Sequence, residues 1–168
     1  MGKLEFKINE IPKGSSETRL ELTAEELGID TVDYRNLEVH VTFDKREALI
    51  SVDFEVSGEA CLICDRSLET FWAQINSGYT ILFKESADFE SEDDQTAVRR
   101  LDISGNIINI LTEVRDTVML SLPVRRVHPK FYDENGELKD FEHVTDEREV
   151  TDPRWEALRA LKDNPSNN

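Results

Sequence analysis

The chain has 168 residues, of which 38% are hydrophobic and 33% charged, with 36 Asp and Glu against 20 Lys and Arg for a formal net charge of -16. This length suits one domain with a real hydrophobic core, and the polar composition predicts that part of the chain is loop or disordered. The charge excludes broad, nonspecific binding to nucleic acid or anionic membrane, both of which need positive surface, while leaving room for a local basic patch.

Met1 to Gly14 contains no apolar run of the signal-peptide kind. No stretch approaches the roughly 18 to 20 apolar residues of a membrane span. Two cysteines are too few for a disulfide framework. A soluble cytoplasmic protein is the economical expectation.

Leu4, Phe6 and Ile8 alternate and predict a short strand ending at Ile11-Pro12. Lys13 to Ser16 reads as a turn, and Thr18 to Leu22 as a second strand. Thr23-Ala24-Glu25-Glu26 has the form of a capping box, with Thr23 capping a short helix that stops at Gly28. Leu37, Val39, Val41 and Phe43 alternate, as do Ala48, Ile50, Val52, Phe54 and Val56. Phe71, Ala73 and Ile75, then Tyr79, Ile81 and Phe83, continue the pattern. Three consecutive antiparallel strands follow, about 37–43, 48–58 and 66–83, with Cys61 and Cys64 at the bend between the last two.

Glu85 to Asp94 carries six acids and no base and reads as a solvated loop, or as an acidic contact for a basic partner. Leu101 to Leu122 predicts the main helix, with Ile107, Ile108, Leu111, Val114, Val118 and Leu122 at helical spacing. Asp102 or Ser104 would cap it, and Pro123 would stop it. Val124 to Lys130 concentrates Arg125, Arg126, His128 and Lys130 in a chain that is otherwise acidic. From Tyr132 to Asp152 the sign reverses, with nine acids against two bases, and an acidic loop or arm over 132–151 is expected around the Asn135-Gly136 turn. Asp152-Pro153-Arg154-Trp155 opens a last short helix over 152–162, before a frayed tail at 163–168. The expected fold is α+β: an antiparallel sheet curled towards a barrel over residues 1–131, with one long helix packed on it.

Cys61-x-x-Cys64 supplies half of a tetrahedral zinc site, and His40, His128 and His143 are the only histidines that could add to it. A redox pair is the second reading, although such a motif needs a helix N-terminus to acidify its thiols and here falls between strands. Structural or vestigial thiols are the reading favoured over both. Arg125, Arg126 and Lys130 could bind phosphate, and otherwise neutralise the acidic flanks. His128 is a surface residue, an RNA contact or a weak metal ligand. Phosphate-loop, dinucleotide, nucleophile-elbow and zinc-protease signatures are absent, so no catalytic residue is assigned.

In order, these landmarks resemble the YceD family, the large-ribosomal-RNA-subunit accumulation proteins. The carriers are the strand into Cys61-x-x-Cys64-Asp65-Arg66-x-Leu68, the acidic loop, the helix through Glu113 to Ser121-Leu122-Pro123, and the closing Asp152-Pro153-Arg154-Trp155-x-x-Leu158-x-x-Leu161-Lys162. The resemblance spans about residues 15 to 162. It implies a non-enzymatic ribosome-biogenesis factor that contacts large-subunit ribosomal RNA or basic ribosomal or assembly proteins, with no membrane and no small-molecule substrate. Alternatives are a C-x-x-C thiol-disulfide oxidoreductase and a zinc-dependent structural module. Many members carry a second cysteine group after the Leu-Pro, completing a four-cysteine zinc site; here Val124-Arg125-Arg126-Val127-His128-Pro129 stands instead. Zinc is therefore not expected as a cofactor. Any metal would fall to Cys61, Cys64 and His128.

Overall fold

The computed structural model describes residues 2–85, 90–93, 95–102 and 104–139. The chain divides into two compact units, Met1–Pro129 and Lys130–Asn168. The expected helix at 152–162, the frayed tail and most of the acidic arm lie outside the described residues.

The frame is the pair β3 (Tyr34–Lys45) and β4 (Leu49–Ile63) with β5 (Thr70–Lys84), joined antiparallel in register from Leu49↔Lys84 to Ile63↔Thr70. Strict alternation along β4 buries Ile50, Val52, Phe54, Val56, Ala60 and Leu62 on one face and turns Asp53, Glu55 and Ser57 to solvent. Because the side-chain period is two, this pattern fixes the register: a slip of one residue would drive the carboxylates into the core. β3 and β4 run longer than the periodicity alone predicts, whereas β5 starts only at Thr70. Cys61 therefore lies within β4, and only Cys64 belongs to the bend.

β2 (Gly14–Leu22) adds to β3, so Gly14 to Ser16, expected as a turn, are strand. On the other side β7 (Thr96–Arg100) pairs parallel with β5, and β6 (Ser91–Glu92) closes the order β2-β3-β4-β5-β7-β6. The sheet is open, with β2 and β6 as its edges, and the expected barrel does not form. β6 is two residues long and offers β2 no ladder to close against. Charged Glu17, Arg19 and Glu21 along β2 guard the free edge.

Thr23 caps α1 (Ala24–Leu27) as the sequence predicts: its side chain accepts from Glu26 N–H while the Glu26 carboxylate accepts from Thr23 N–H. Gly28 ends the helix at φ 67°, a conformation that favours glycine. β1 (Glu5–Lys7) joins β8 (Ile107–Asn109) in a separate two-stranded sheet. The main helix, α2, is accordingly only Leu111–Leu120 rather than 101–122. Its expected first turn is consumed by a tight turn in which Asp102 accepts from the N–H groups of Ser104 and Gly105, and Asn106 sits at φ 50°. The backbone of 107–109 then pairs with β1. Asp102 and Ser104 thus do not cap α2; the Asn109 side chain accepts from Leu111 N–H instead.

Val114, Thr117 and Val118 form the buried stripe of α2, which packs on β5 and β4. Val39, Val41, Val52, Ile81, Ala97 and Ile110 complete a core closed to solvent. Among the described residues no helix is long and apolar enough to cross a membrane.

The strand assignment of 107–109 has a sharp consequence, since Ile107 is 48% exposed and Ile108 1%. Ile108→Ala is expected to cost about 2–5 kcal/mol in denaturant unfolding, and Ile107→Ala within about 0.5 kcal/mol. Equal costs at the two positions would restore the continuous helix.

Candidate functional site: the hairpin bend and the segment after the helix

β4 ends at Ile63 and the chain turns back over Cys64 to Glu69. Cys64 N–H donates to Glu69 C=O at 2.8 Å and Leu68 N–H to Cys64 C=O at 2.9 Å. Leu68 pays for the turn with φ 59°, unusual for a side chain of its size. Strand parity separates the cysteines: Cys61 faces outward and is half-buried, while Cys64 continues the inner row of Ala60 and Leu62 and is fully buried. Both are free thiols. Side chains directed to opposite faces are not placed to bridge.

The segment after α2 lies against this bend. Asp65 N–H donates to Arg126 C=O at 2.7 Å, and the Asp65 carboxylate accepts from Arg126 N–H at 2.8 Å. His128 N–H donates to Cys64 Sγ at 3.3 Å, and the His128 ring leans on Phe71 with centroids 5.3 Å apart. Segments far apart in sequence are thereby fastened at three residue pairs. Burial works to raise the Cys64 pKa. The Ser67 hydroxyl and the N–H groups of His128, Ser67 and Arg66 outweigh it by donating to sulfur, bringing the thiol down to about 7 from an ordinary 9.0.

Of the residues singled out from sequence, the structure brings together Cys64 and the backbone of Arg126 and His128. Cys61 stays on the outer face of β4, half-buried, while Cys64 is buried in the bend. Among the described residues, no three His, Cys, Asp or Glu side chains form a group able to hold a metal ion. Lys130 begins the second unit, where its ammonium lies 5.2 Å from the centroid of the Phe131 ring. In that unit Tyr132 bridges to Leu138 around the Asn135-Gly136 turn. Asp65 and Phe71 were visible in the sequence only as motif and strand positions, with no sign of this contact, and Ser67 carries only the signal of a turn-forming type.

On the outer face, Arg35 makes a two-point pair with Glu59 at 2.6 and 3.2 Å and stacks 4.1 Å from the Trp72 ring centroid, beside Cys61. Gly58 permits this: a Cβ there would meet Leu37 Cδ2 at 2.8 Å, where β3 carries a register shift between Arg35 and Glu38. The rest of the outer face is acidic. Glu17, Glu21, Glu38, Asp53 and Glu55 stand exposed, with Arg19 and His40 among them. On the inner side a cleft of about 530 Å3 lies between α2 and the β5–β7 region, where Arg99 pairs with Glu92 at 2.6 Å and Glu113 at 3.1 Å.

The family model for the large ribosomal RNA subunit accumulation protein YceD matches residues 52–162, taking in the hairpin, its bend, α2 and the segment after it. The chain belongs to the YceD family. It is also 25% identical over 167 residues to the uncharacterized protein YlbN of Bacillus subtilis (strain 168), covering 93% of each chain. No solved structure matches it at a comparable level. The YceD match starts within β4 and contains every member of the bend contact: Cys64, Asp65, Phe71, Arg126 and His128.

The acidified thiol makes stability depend on pH. The folded state loses the Cys64 proton before the unfolded state does, so this group stabilises fully above 9.0 and ceases to as pH falls through about 7. In Cys61→Ser protein the 240 nm thiolate absorbance should rise with a midpoint at about 7. The denaturant midpoint should also climb between pH 7 and 9 more than in Cys64→Ser. A thiolate midpoint at the ordinary value would contradict the donor arrangement.

Proposed function

We infer that this protein is a non-enzymatic, cytoplasmic factor supporting the synthesis, processing or stability of large-subunit ribosomal RNA, and that it acts by holding a basic ribosomal or assembly protein. Membership of the YceD family supports the ribosomal setting. The observation that carries the choice of partner is the outer sheet face, where Glu17, Glu38, Asp53 and Glu55 are held at fixed spacings by a continuous antiparallel ladder. A carboxylate field on a stiff scaffold attracts a cationic chain without first having to order itself. Cationic segments are the ordinary surface of proteins that bind ribosomal RNA. An acidic face also repels bare RNA, which makes direct RNA contact the task of the basic segment at Arg125, Arg126, His128 and Lys130 if it occurs at all.

The test is a pull-down of tagged protein from cells, with RNA and protein identified, before and after nuclease. Large-subunit ribosomal or assembly proteins are expected in the eluate and should survive nuclease. Asp53→Lys with Glu55→Lys should weaken capture about tenfold, while Arg125→Glu with Arg126→Glu leaves it unchanged. Loss on nuclease treatment, together with loss in the arginine variant, would assign the contact to RNA. An eluate without ribosomal material would remove the ribosomal reading altogether.

A further inference from the structure

The resemblance to the YceD family implies a zinc site joining the C-x-x-C hairpin to the segment after the helix, and this chain's donor set does not fit one. Cys61 sits on the outer face of β4, whereas Cys64 is buried in the bend after the strand has ended. The ring of His128 is engaged with Phe71, and what reaches Cys64 from His128 is a backbone N–H. Cys64 Sγ receives the His128 N–H at 3.3 Å, and among the described residues no three His, Cys, Asp or Glu side chains form a group able to hold a metal ion.

We propose that in this chain the hairpin bend and the segment after α2 are fastened by a metal-independent clasp, in which N–H and O–H donors on Cys64 Sγ and the reciprocal Asp65–Arg126 pair occupy the structural place of a zinc ion. The arrangement pairs backbone groups of an otherwise exposed segment with the bend. Arg126 has both its N–H and its C=O paired to Asp65, and His128 N–H finds sulfur. Phe71, buried on the inner face opposite Leu62, backs the His128 ring. One consequence follows for geometry: with the backbone of Arg126 held at both polar atoms, the exit of the chain from α2 is set by the bend and not by the helix end. α2 itself stops weakly, at Ser121, whose N–H still bonds back to Thr117. A second consequence concerns the two cysteines, which become unequal. Cys64 is part of the clasp, and Cys61 is an outward thiol beside Trp72 and Arg35 with no part in it.

The experiment measures bound zinc in purified full-length protein by elemental analysis, its thermal midpoint with and without chelator, and amide hydrogen exchange. Substoichiometric zinc and a chelator shift under about 1 °C are expected. Asp65→Ala should speed exchange at Arg126 and His128 by about tenfold, equivalent to the loss of a hydrogen bond, and Cys64→Ala should do the same at His128. Cys61→Ser should leave both amides and the thermal midpoint unchanged. Should Cys64→Ala fail to fold, Asp65→Ala and Cys61→Ser carry the comparison alone. One equivalent of zinc whose removal lowers the midpoint, or a Cys61→Ser variant that loosens Arg126 and His128, would overturn the clasp.

Discussion

The register of the β4–β5 ladder is the constraint on which the rest depends. Fifteen consecutive pairs lock two strands whose side chains alternate without interruption, and that single choice of parity settles three things together. It sends Ile50 to Leu62 inward to meet Val114 and Val118 of α2. It sends Asp53 and Glu55 outward, on the same face as Glu17, Glu21 and Glu38 of the neighbouring strands. It also splits the C-x-x-C pair, holding Cys61 outward on β4 while Cys64, past the strand's end, is buried in the bend.

The functional proposal and the clasp both descend from this split. A C-x-x-C turn that left the strand earlier could close both sulfurs on one ion. A strand that runs to Ile63 cannot do so without giving up the pairs Cys61↔Trp72 and Leu62↔Phe71. The inner cysteine is then free to accept donors from the turn and from His128. The outer one shares a surface with the Arg35–Glu59–Trp72 stack. The basic segment at Arg125 and Arg126 and the acidic sheet face thus stand on one scaffold with opposite charges.

Legibility in the sequence followed the strength of the local signal. β3, β4 and β5 were readable because a buried face and a polar face alternate over many residues, and α1 because Thr23, Glu26 and Gly28 state its start and stop. β7 was not, since Thr96, Arg99 and Arg100 break the apolar alternation in a short strand paired parallel to β5. The start of α2 was misread because Ile107, Ile108 and Leu111 fit helical spacing as well as they fit a strand followed by a helix. Pairing with β1, about a hundred residues away, decides it. The site was half readable. Cysteine spacing and the basic run were visible, but the contact that joins them runs through backbone N–H and C=O groups of Arg126 and His128, which no side-chain pattern reports.

The central claim is that the outer sheet face receives a basic large-subunit protein. Zero-length carboxylate–lysine crosslinking in cells, with the crosslinked sites mapped by mass spectrometry, tests it most directly. The account expects crosslinks from Glu17, Glu38, Asp53 or Glu55 to lysines of large-subunit ribosomal or assembly proteins. Crosslinks that avoid the sheet face, or that reach no ribosomal protein, would contradict it.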